Sequence, residues 1–296
     1  MELTILGTSA TLPTKTRNHS AYLLTYKAEG LLFDCGEGTQ RQLKIAGISF
    51  SKITRIFLSH WHGDHMLGLP GLLQSMAMHE YSRSLQIYGP PGSKEKYRKV
   101  LDAFESTYPI TAEMNEIKEG KFLETDDFVI ESYPVMHRTK CYGFRLIEKD
   151  KRKMNMTKLK KLGVKEGPLV GKLQEGKTIT VNGTKITPDE VSTLVKGKIF
   201  AYIPDTQPTK NCQKLAQDAD VLLCESTYSE EHKNLAEEHS HLTAQQAGQI
   251  ASSSNVKKLI LTHFSARYKN ESELAQDARE VFDNTFAAKE FMKIQI

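Results

Sequence analysis

The chain has 296 residues, 39% of them hydrophobic and 26% charged, with a formal net charge of +4 and a mean hydropathy of -0.45. These values argue against a membrane-spanning chain, since no run approaches the roughly 18 apolar residues that a spanning helix needs. Two average domains would fit the length, but layered α/β folds of this size often form one, so a single domain over residues 1–296 is expected.

The first residues, Met1-Glu2-Leu3-Thr4-Ile5-Leu6-Gly7, hold no basic region or long apolar core and do not read as a signal peptide. Cys35, Cys141, Cys212 and Cys224 are far apart and form no C-x-x-C pair, which predicts a reduced, cytoplasmic setting. Short strands are expected at Glu2–Leu6, Ala21–Tyr26 and Gly30–Asp34, with a loop between the first two, Pro13-Thr14-Lys15-Thr16-Arg17-Asn18, that reads by itself as an ordinary solvated loop. After the third strand comes Asp34-Cys35-Gly36-Glu37-Gly38-Thr39-Gln40. Its acid could cap a helix or hold a ligand histidine in one tautomer.

The apolar run Ile56-Phe57-Leu58 leads directly into Ser59-His60-Trp61-His62-Gly63-Asp64-His65. Three imidazoles and a carboxylate within six positions at a strand end suit a site for borderline cations such as zinc, and there are too many donors for one ion. His60 and His62 alternate and can point the same way, whereas Asp64 and His65 follow Gly63, where the backbone can turn towards a second ion. Leu69, Leu72, Leu73 and Met76 then mark a helix with Pro70 near its first turn. Leu85–Tyr88 is a strand, and Ser93 caps a helix whose stripe of Tyr97, Val100, Leu101 and Phe104 is expected in the core.

Further strands are expected at Phe128–Val135, Tyr142–Ile147, Lys198–Ile203, Val221–Cys224 and Lys258–Thr262. Several end on an acid or a histidine: His137, Asp205, Glu225 and His263. Active sites of layered α/β folds collect where such strand ends converge, so His137, Asp205 and His263 are the remaining ligand candidates.

With these residues the chain resembles the metallo-β-lactamase superfamily, which implies an α/β fold of four layers, an αββα sandwich. That superfamily hosts many hydrolases, so fold alone does not decide function. More specific is Pro13-Thr14-Lys15-Thr16-Arg17-Asn18, which is similar to the P-x-K-x-R-N loop of the ribonuclease Z family, endonucleases that mature transfer RNA 3′ ends. Phe33 to Gln42 resembles that family's first block and Leu261 to Tyr268 its last. The resemblance runs over essentially the whole chain and fits the family's short form. Two blocks depart from it: H-E-A-T reads Cys224-Glu225-Ser226-Thr227, and H-S-T reads His241-Leu242-Thr243, with Glu225 and His241 retained. His239 is a rival for His241, but His241 stands just before Thr243-Ala244-Gln245-Gln246, a T-x-x-Q capping box that opens a helix.

The resemblance implies two zinc ions per subunit, with His60, His62 and His137 on one, Asp64, His65 and His263 on the other, and Asp205 bridging. It implies Asp64 as proton acceptor, and Glu225 with His241 as the pair that protonates the departing 3′ oxygen. Precursor tRNA is the implied partner, touched by Lys15, Arg17, Asn18 and an arm containing Gly167 and Pro168, and the family also implies a homodimer.

The region of about 149–197 reads as that arm, protruding, flexible and basic. Lys149, Lys151, Arg152, Lys153, Lys158, Lys160, Lys161, Lys165 and Lys172 face only Asp150 and Glu166, and a hairpin-like stretch follows. A solvated basic loop is the ordinary reading of such a run, whereas a phosphate-rich substrate would use it for affinity. Three other functions share parts of this pattern. A general phosphodiesterase or thioester hydrolase needs neither Lys15, Arg17 nor the arm; an RNA-binding protein with a dead centre does not need the intact ligand set; a structural zinc protein needs no shared aspartate.

Overall fold

The computed structural model describes residues 1–105 and 110–296. It divides into two compact units: one of Met1–Leu123, Ile130–Leu146 and Ile199–Ile296, the other of Glu124–Val129 and Ile147–Lys198.

Six strands come first: β1 (Glu2–Gly7), β2 (Ala21–Tyr26), β3 (Glu29–Phe33), β4 (Ile53–Phe57), β5 (Leu85–Gly89) and β6 (Ala112–Glu116). Next are β7 (Gly120–Glu124), β8 (Phe128–Val135) and β9 (Cys141–Glu148). Beyond the basic segment follow β10 (Ile199–Ile203), β11 (Val221–Glu225), β12 (Leu259–Thr262), β13 (Thr285–Ala287) and β14 (Lys293–Gln295). They build two seven-stranded sheets, ordered β14-β1-β2-β3-β4-β5-β6 and β13-β12-β11-β10-β9-β8-β7. The run β3 to β6 is parallel, as is β10 to β13.

Parallel strands covered on both faces are apolar throughout, and successive side chains serve opposite faces. In and just after β4, Ile56 and Leu58 join the core under helices Thr39–Ile45, Gly68–Met78 and Ser93–Asp102. Phe57, between them, meets Phe33, Phe144 and Tyr88 instead, at ring-centroid distances of 5.0, 5.7 and 5.1 Å. On the second sheet Ala201 and Ile203 lie under helices Lys210–Ala216, Ala244–Ser253 and Ser272–Arg279, while Phe200 and Tyr202 reach Phe33 of the first sheet at 5.3 and 6.2 Å. The layers are therefore helix, sheet, sheet, helix, with an aromatic seam between the sheets.

Strand ends differ from the sequence reading by a residue or so, and the helix after β5 departs further. Gly92, in the left-handed region at φ 98°, is its N-cap in place of Ser93, and the Ser93 hydroxyl instead accepts the Trp61 indole N–H at 2.7 Å. Tyr97 is buried, but Leu101 and Phe104 are 43% and 52% exposed, so the stripe expected in the core stops short.

The second unit pairs Lys151–Met154 with Ser192–Val195, and Ile179–Val181 with Thr184–Ile186. The latter two are joined by Asn182-Gly183, both at positive φ, the chemistry a tight hairpin turn requires. Leu159, Val164, Val170, Leu173, Ile179, Ile186 and Val191 form a core belonging to this unit alone. Gly167 and Pro168 are exposed at the start of its helix Pro168–Gln174. The basic residues face more acid than their own stretch holds, because Lys149 pairs with Glu124, Lys151 with Asp127 and Arg152 with Asp189. Lys158, Lys160, Lys161 and Lys165 are exposed.

Phe33 is fully buried in the aromatic seam, so Phe33→Ala should cost about 3–5 kcal/mol of folding stability, read from urea denaturation. A loss below about 1 kcal/mol would mean that the seam closes around the gap.

Candidate metal centre

The potential ligands leave the sheets at one edge. His60 follows β4, His137 follows β8, Asp205 follows β10, Glu225 ends β11 and His263 follows β12. Register brings the last three together, since β10 pairs Ile203 with Cys224 of β11, and β11 pairs Glu225 with Thr262 of β12. After His60 the chain stays extended to His62 and then enters the short helix Gly63–Met66. Asp64 and His65 are thus re-aimed by a helical turn, in which Gly63 is itself helical, and not by the freedom of a glycine.

Three groups of donor atoms result, one of His60, His62, His137 and Asp205, a second of Asp64, His65, Asp205 and His263, and a third of Glu225, His241 and His263. In the first, His62 Nδ1 lies 3.0 Å from His60 Nε2 and 3.2 Å from His137 Nε2, and Asp205 Oδ2 is 3.8 Å from both those Nε2 atoms. In the second, His65 Nε2 and His263 Nε2 are 3.2 Å apart. Asp64 Oδ2 lies 3.4 and 3.3 Å from this pair, and Asp205 Oδ1 3.4 and 3.2 Å.

The opposite ring nitrogens are tied down. His65 Nδ1 meets Asp34 Oδ2 at 2.8 Å, His60 Nδ1 the Ser59 hydroxyl at 3.0 Å, His137 Nδ1 the Ser240 carbonyl at 3.0 Å and His263 Nδ1 the Thr227 hydroxyl at 2.9 Å. When Nδ1–H donates outward, Nε2 presents a lone pair to the cluster, the arrangement metal-ligating histidines use. Lone pairs aimed at one another at 3.0–3.2 Å repel unless a cation lies between them. Ligands on one tetrahedral zinc at 2.0–2.1 Å would be about 3.3 Å apart, so the spacing fits. Asp205 Oδ1 adds to this, being buried without a hydrogen-bond partner among the described residues. The residues fit a pair of cations, and imidazole with carboxylate and no thiolate suits zinc or a neighbouring divalent metal.

Asp34 is no helix cap. At φ 55° its carboxylate accepts the Ser59 N–H and hydroxyl, the Tyr202 hydroxyl and the His65 ring N–H. Burial opposes charge on His65, but Asp205, Asp64 and Asp34 outweigh it and raise its proton affinity well above the usual histidine range. Burial pushes the His60 imidazolium down, and the charge of His65 pushes it further. The cluster therefore has the field of a cation site.

Beside it, Glu225 is fully buried. Its Oε1 accepts the Thr206 N–H at 2.8 Å and meets His241 Nδ1 at 2.9 Å, and its Oε2 accepts the Thr227 N–H and hydroxyl. His241 is placed by its own N–H to the Ala236 carbonyl at 2.8 Å and by the Thr243–Gln246 capping box two residues on. Burial lowers the His241 imidazolium, but the charge and hydrogen bond of Glu225 prevail and raise it to about 9. His239 lies against Tyr228 instead, so His241 is the histidine paired with the acid.

His62, His137, Asp205 and His241 open on a cavity of about 440 Å³. Of the loop residues, Lys15 is exposed. Arg17 is buried, its guanidinium donating to the carbonyls of Tyr268 and Ser265, and Asn18 donates to the Glu37 carbonyl. Arg17 and Asn18 therefore shape the loop. Sequence reasoning missed Glu290, whose Oε1 accepts the N–H groups of Thr8 and Asn18 and so fastens both ends of that loop. A lone glutamate far along the chain carries no pattern that announces such a role.

The first 158 residues match the model of the anti-Pycsar protein Apyc1 family. Ribonuclease Z of Protochlamydia amoebophila is 44% identical over 292 residues, 98% of this chain and 95% of that protein. Ribonuclease Z of Methanothermobacter thermautotrophicus is 40% identical over 297 residues, 100% of this chain and 97% of that protein. Among solved structures, human tRNase Z, short form, superposes with a TM-score of 0.71 at 28% identity, covering 100% of this chain and 99% of that one. The metallo-β-lactamase fold protein YhfI from Bacillus subtilis gives 0.73 at 20% identity, covering 99% and 98%, a likeness of fold alone.

Two sheets between helices, with histidines and aspartates gathered at one edge, make this a protein of the metallo-β-lactamase fold. The Apyc1 match stops before Asp205, Glu225, His241 and His263, whereas the full-length likeness runs through all of them. The chain belongs to the ribonuclease Z family, and its N-terminal half also fits the Apyc1 family model.

Asp34→Asn keeps the shape of the side chain but removes the charge behind His65. It should weaken metal affinity by about 10–100-fold, measured by competition with a chromophoric chelator. Unchanged affinity would show that Asp34 serves the fold alone.

Proposed function

We propose that the chain is a zinc-dependent endoribonuclease that removes the 3′ trailer from precursor tRNA, leaving a 3′-hydroxyl on the tRNA and a 5′-phosphate on the trailer. The observation that carries this reading is the Glu225–His241 pair set beside two ligand groups that share Asp205, in a chain 40–44% identical to ribonuclease Z over nearly its whole length. A structural metal site would have no use for a buried acid–imidazole pair at its margin.

When bound, two zinc ions held by His60, His62 and His137 and by Asp64, His65 and His263, with Asp205 shared, supply Lewis acidity that lowers the pKa of water and offsets phosphate charge. Asp64, with one edge of its carboxylate towards His65 and His263, accepts the proton of the attacking water. His241, its Nδ1 engaged by Glu225, offers Nε2 to the cavity and protonates the departing 3′ oxygen. Glu225 favours the charged form of His241, so the proton is held at lower pH and released as pH rises, and the rate should fall on the alkaline side.

Lys15 on its loop and the exposed lysines around Gly167 and Pro168 suit the phosphates of the tRNA body, while Arg17 and Asn18 act through the shape of the loop. The reading includes a homodimer and a cytoplasmic setting. All four cysteines are free and buried, and among the described residues no helix is long and apolar enough to cross a membrane.

The direct test is incubation with a 3′-extended tRNA precursor, with and without chelator, followed by mapping of the cut. Cleavage after the last nucleotide of the tRNA body, lost on chelation and restored by zinc, is expected; an intact precursor would refute the reading. His241→Ala should keep both metals and lose about 10²–10⁴ in rate, and loss of zinc as well would make His241 a ligand.

Replacing Lys158, Lys160, Lys161 and Lys165 together by Ala should weaken tRNA binding and flatten its dependence on salt. The slope of log affinity against log salt should shrink by about 0.7–0.9 per lost phosphate contact. An unchanged slope would remove this region from the binding surface.

A further inference from the structure

The cavity over the ligand cluster has a wall that neither metal binding nor proton transfer uses. Tyr228 lines it, half-buried, with His239, Arg138 and Arg267. The Tyr228 and His239 rings are nearly parallel, 21° apart with centroids at 6.2 Å. The Arg267 guanidinium carbon stands 6.0 Å from the Tyr228 centroid. On the other side Arg138 donates to the Glu238 carbonyl at 2.5 Å and lies 3.4 Å from His239 Nδ1.

The platform is carried rigidly. The Tyr228 carbonyl accepts the Ala244 N–H at 2.8 Å, and its backbone bridges Thr243, so the ring rides on the same capped helix start that places His241. An aromatic pair that served packing alone would be buried, yet both of these rings keep exposed surface at the mouth of a catalytic cavity. Paired rings flanked by two arginines make a surface for a nucleobase, because every base has a π-face to stack and the phosphates on either side of it meet cations. Arg267 is exposed and holds the place over Tyr228 through a cation–π contact that a base can take over, leaving the guanidinium for an RNA phosphate.

Resting on the endoribonuclease reading, we propose that Tyr228 and His239 form the stacking subsite for the base of the nucleotide on the 5′ side of the cut, the one that keeps the 3′-hydroxyl. The side follows from His241. Its ring centroid is 6.2 Å from that of Tyr228, and it protonates the 3′ oxygen of that nucleotide, whose base is one sugar away. The subsite makes cleavage respond to the presence of a base there while tolerating any of the four, since stacking reads no hydrogen-bond pattern.

The test uses Tyr228→Ala and Tyr228→Phe with zinc-loaded enzyme and three precursors: intact, abasic at the nucleotide 5′ of the cut, and abasic at the nucleotide 3′ of it. On the intact precursor Tyr228→Ala should lose about 5- to 150-fold in kcat/KM, the worth of one base–aromatic stack, whereas Tyr228→Phe keeps the stack and the rate. Wild-type enzyme should lose the same factor on the precursor abasic 5′ of the cut, and Tyr228→Ala should lose nothing further there. If Tyr228→Ala instead falls below wild type by the same factor on the 5′-abasic precursor as on the intact one, the residue acts through the fold and the subsite is overturned. Coupling to the 3′-abasic precursor instead would overturn its placement by giving the platform to the trailer. Neither result touches the endoribonuclease reading, which fails only if wild-type enzyme leaves every precursor uncut.

Discussion

A single buried carboxylate holds the site in register. Asp34 leaves β3 at φ 55°, a conformation that an aspartate tolerates better than most residues but that is retained only where the surroundings enforce it. Its oxygens collect the Ser59 N–H and hydroxyl after β4, the Tyr202 hydroxyl of β10 and the ring N–H of His65. One group therefore ties two strand ends of the first sheet to a strand of the second and to a candidate ligand histidine. The sheets face each other through Phe33, Phe57, Phe144 and Phe200, and an apolar seam has no directional preference of its own. The hydrogen bonds of Asp34 supply direction.

The same reasoning explains why histidines of one kind behave differently. His60 and His65 have ring centroids 4.1 Å apart and both are buried, yet one is pushed towards neutrality and the other towards charge. Proximity to carboxylates decides it: His65 has three, and His60 has Asp205 together with other imidazoles. His241 lies in a third donor group, with Glu225 and His263, and the acid of its own that it pairs with favours its charged form.

Much of this was legible in the sequence because it is local. Apolar runs that end in His60, His137, Asp205, Glu225 and His263 announce strand ends, and parallel pairing brings such ends to one edge. The four layers followed from family resemblance rather than from periodicity, since strands buried on both faces show little alternation. Less legible were β6 and β7, whose sequences Ala-Glu-Met-Asn-Glu and Gly-Lys-Phe-Leu-Glu are half polar and hold few β-branched residues. The helix after β5 misled for a related reason: Leu101 and Phe104 keep the spacing of a buried stripe but lie at the exposed end. Arg17 and Asn18 read as solvated because their partners are backbone carbonyls, which have no letter in a sequence. The acids facing Lys149 and Lys151 come from elsewhere in the chain and the one facing Arg152 from further along the same region, and a count along one stretch does not reach them.

The unit of Glu124–Val129 and Ile147–Lys198 closes a core of its own around Leu159, Leu173 and Ile186. These apolar residues satisfy one another, and the exposed residues around them, Lys158, Lys160, Lys161 and Lys165 among them, take no part in that core. The surface of this unit and its core are therefore free to diverge at different evolutionary rates.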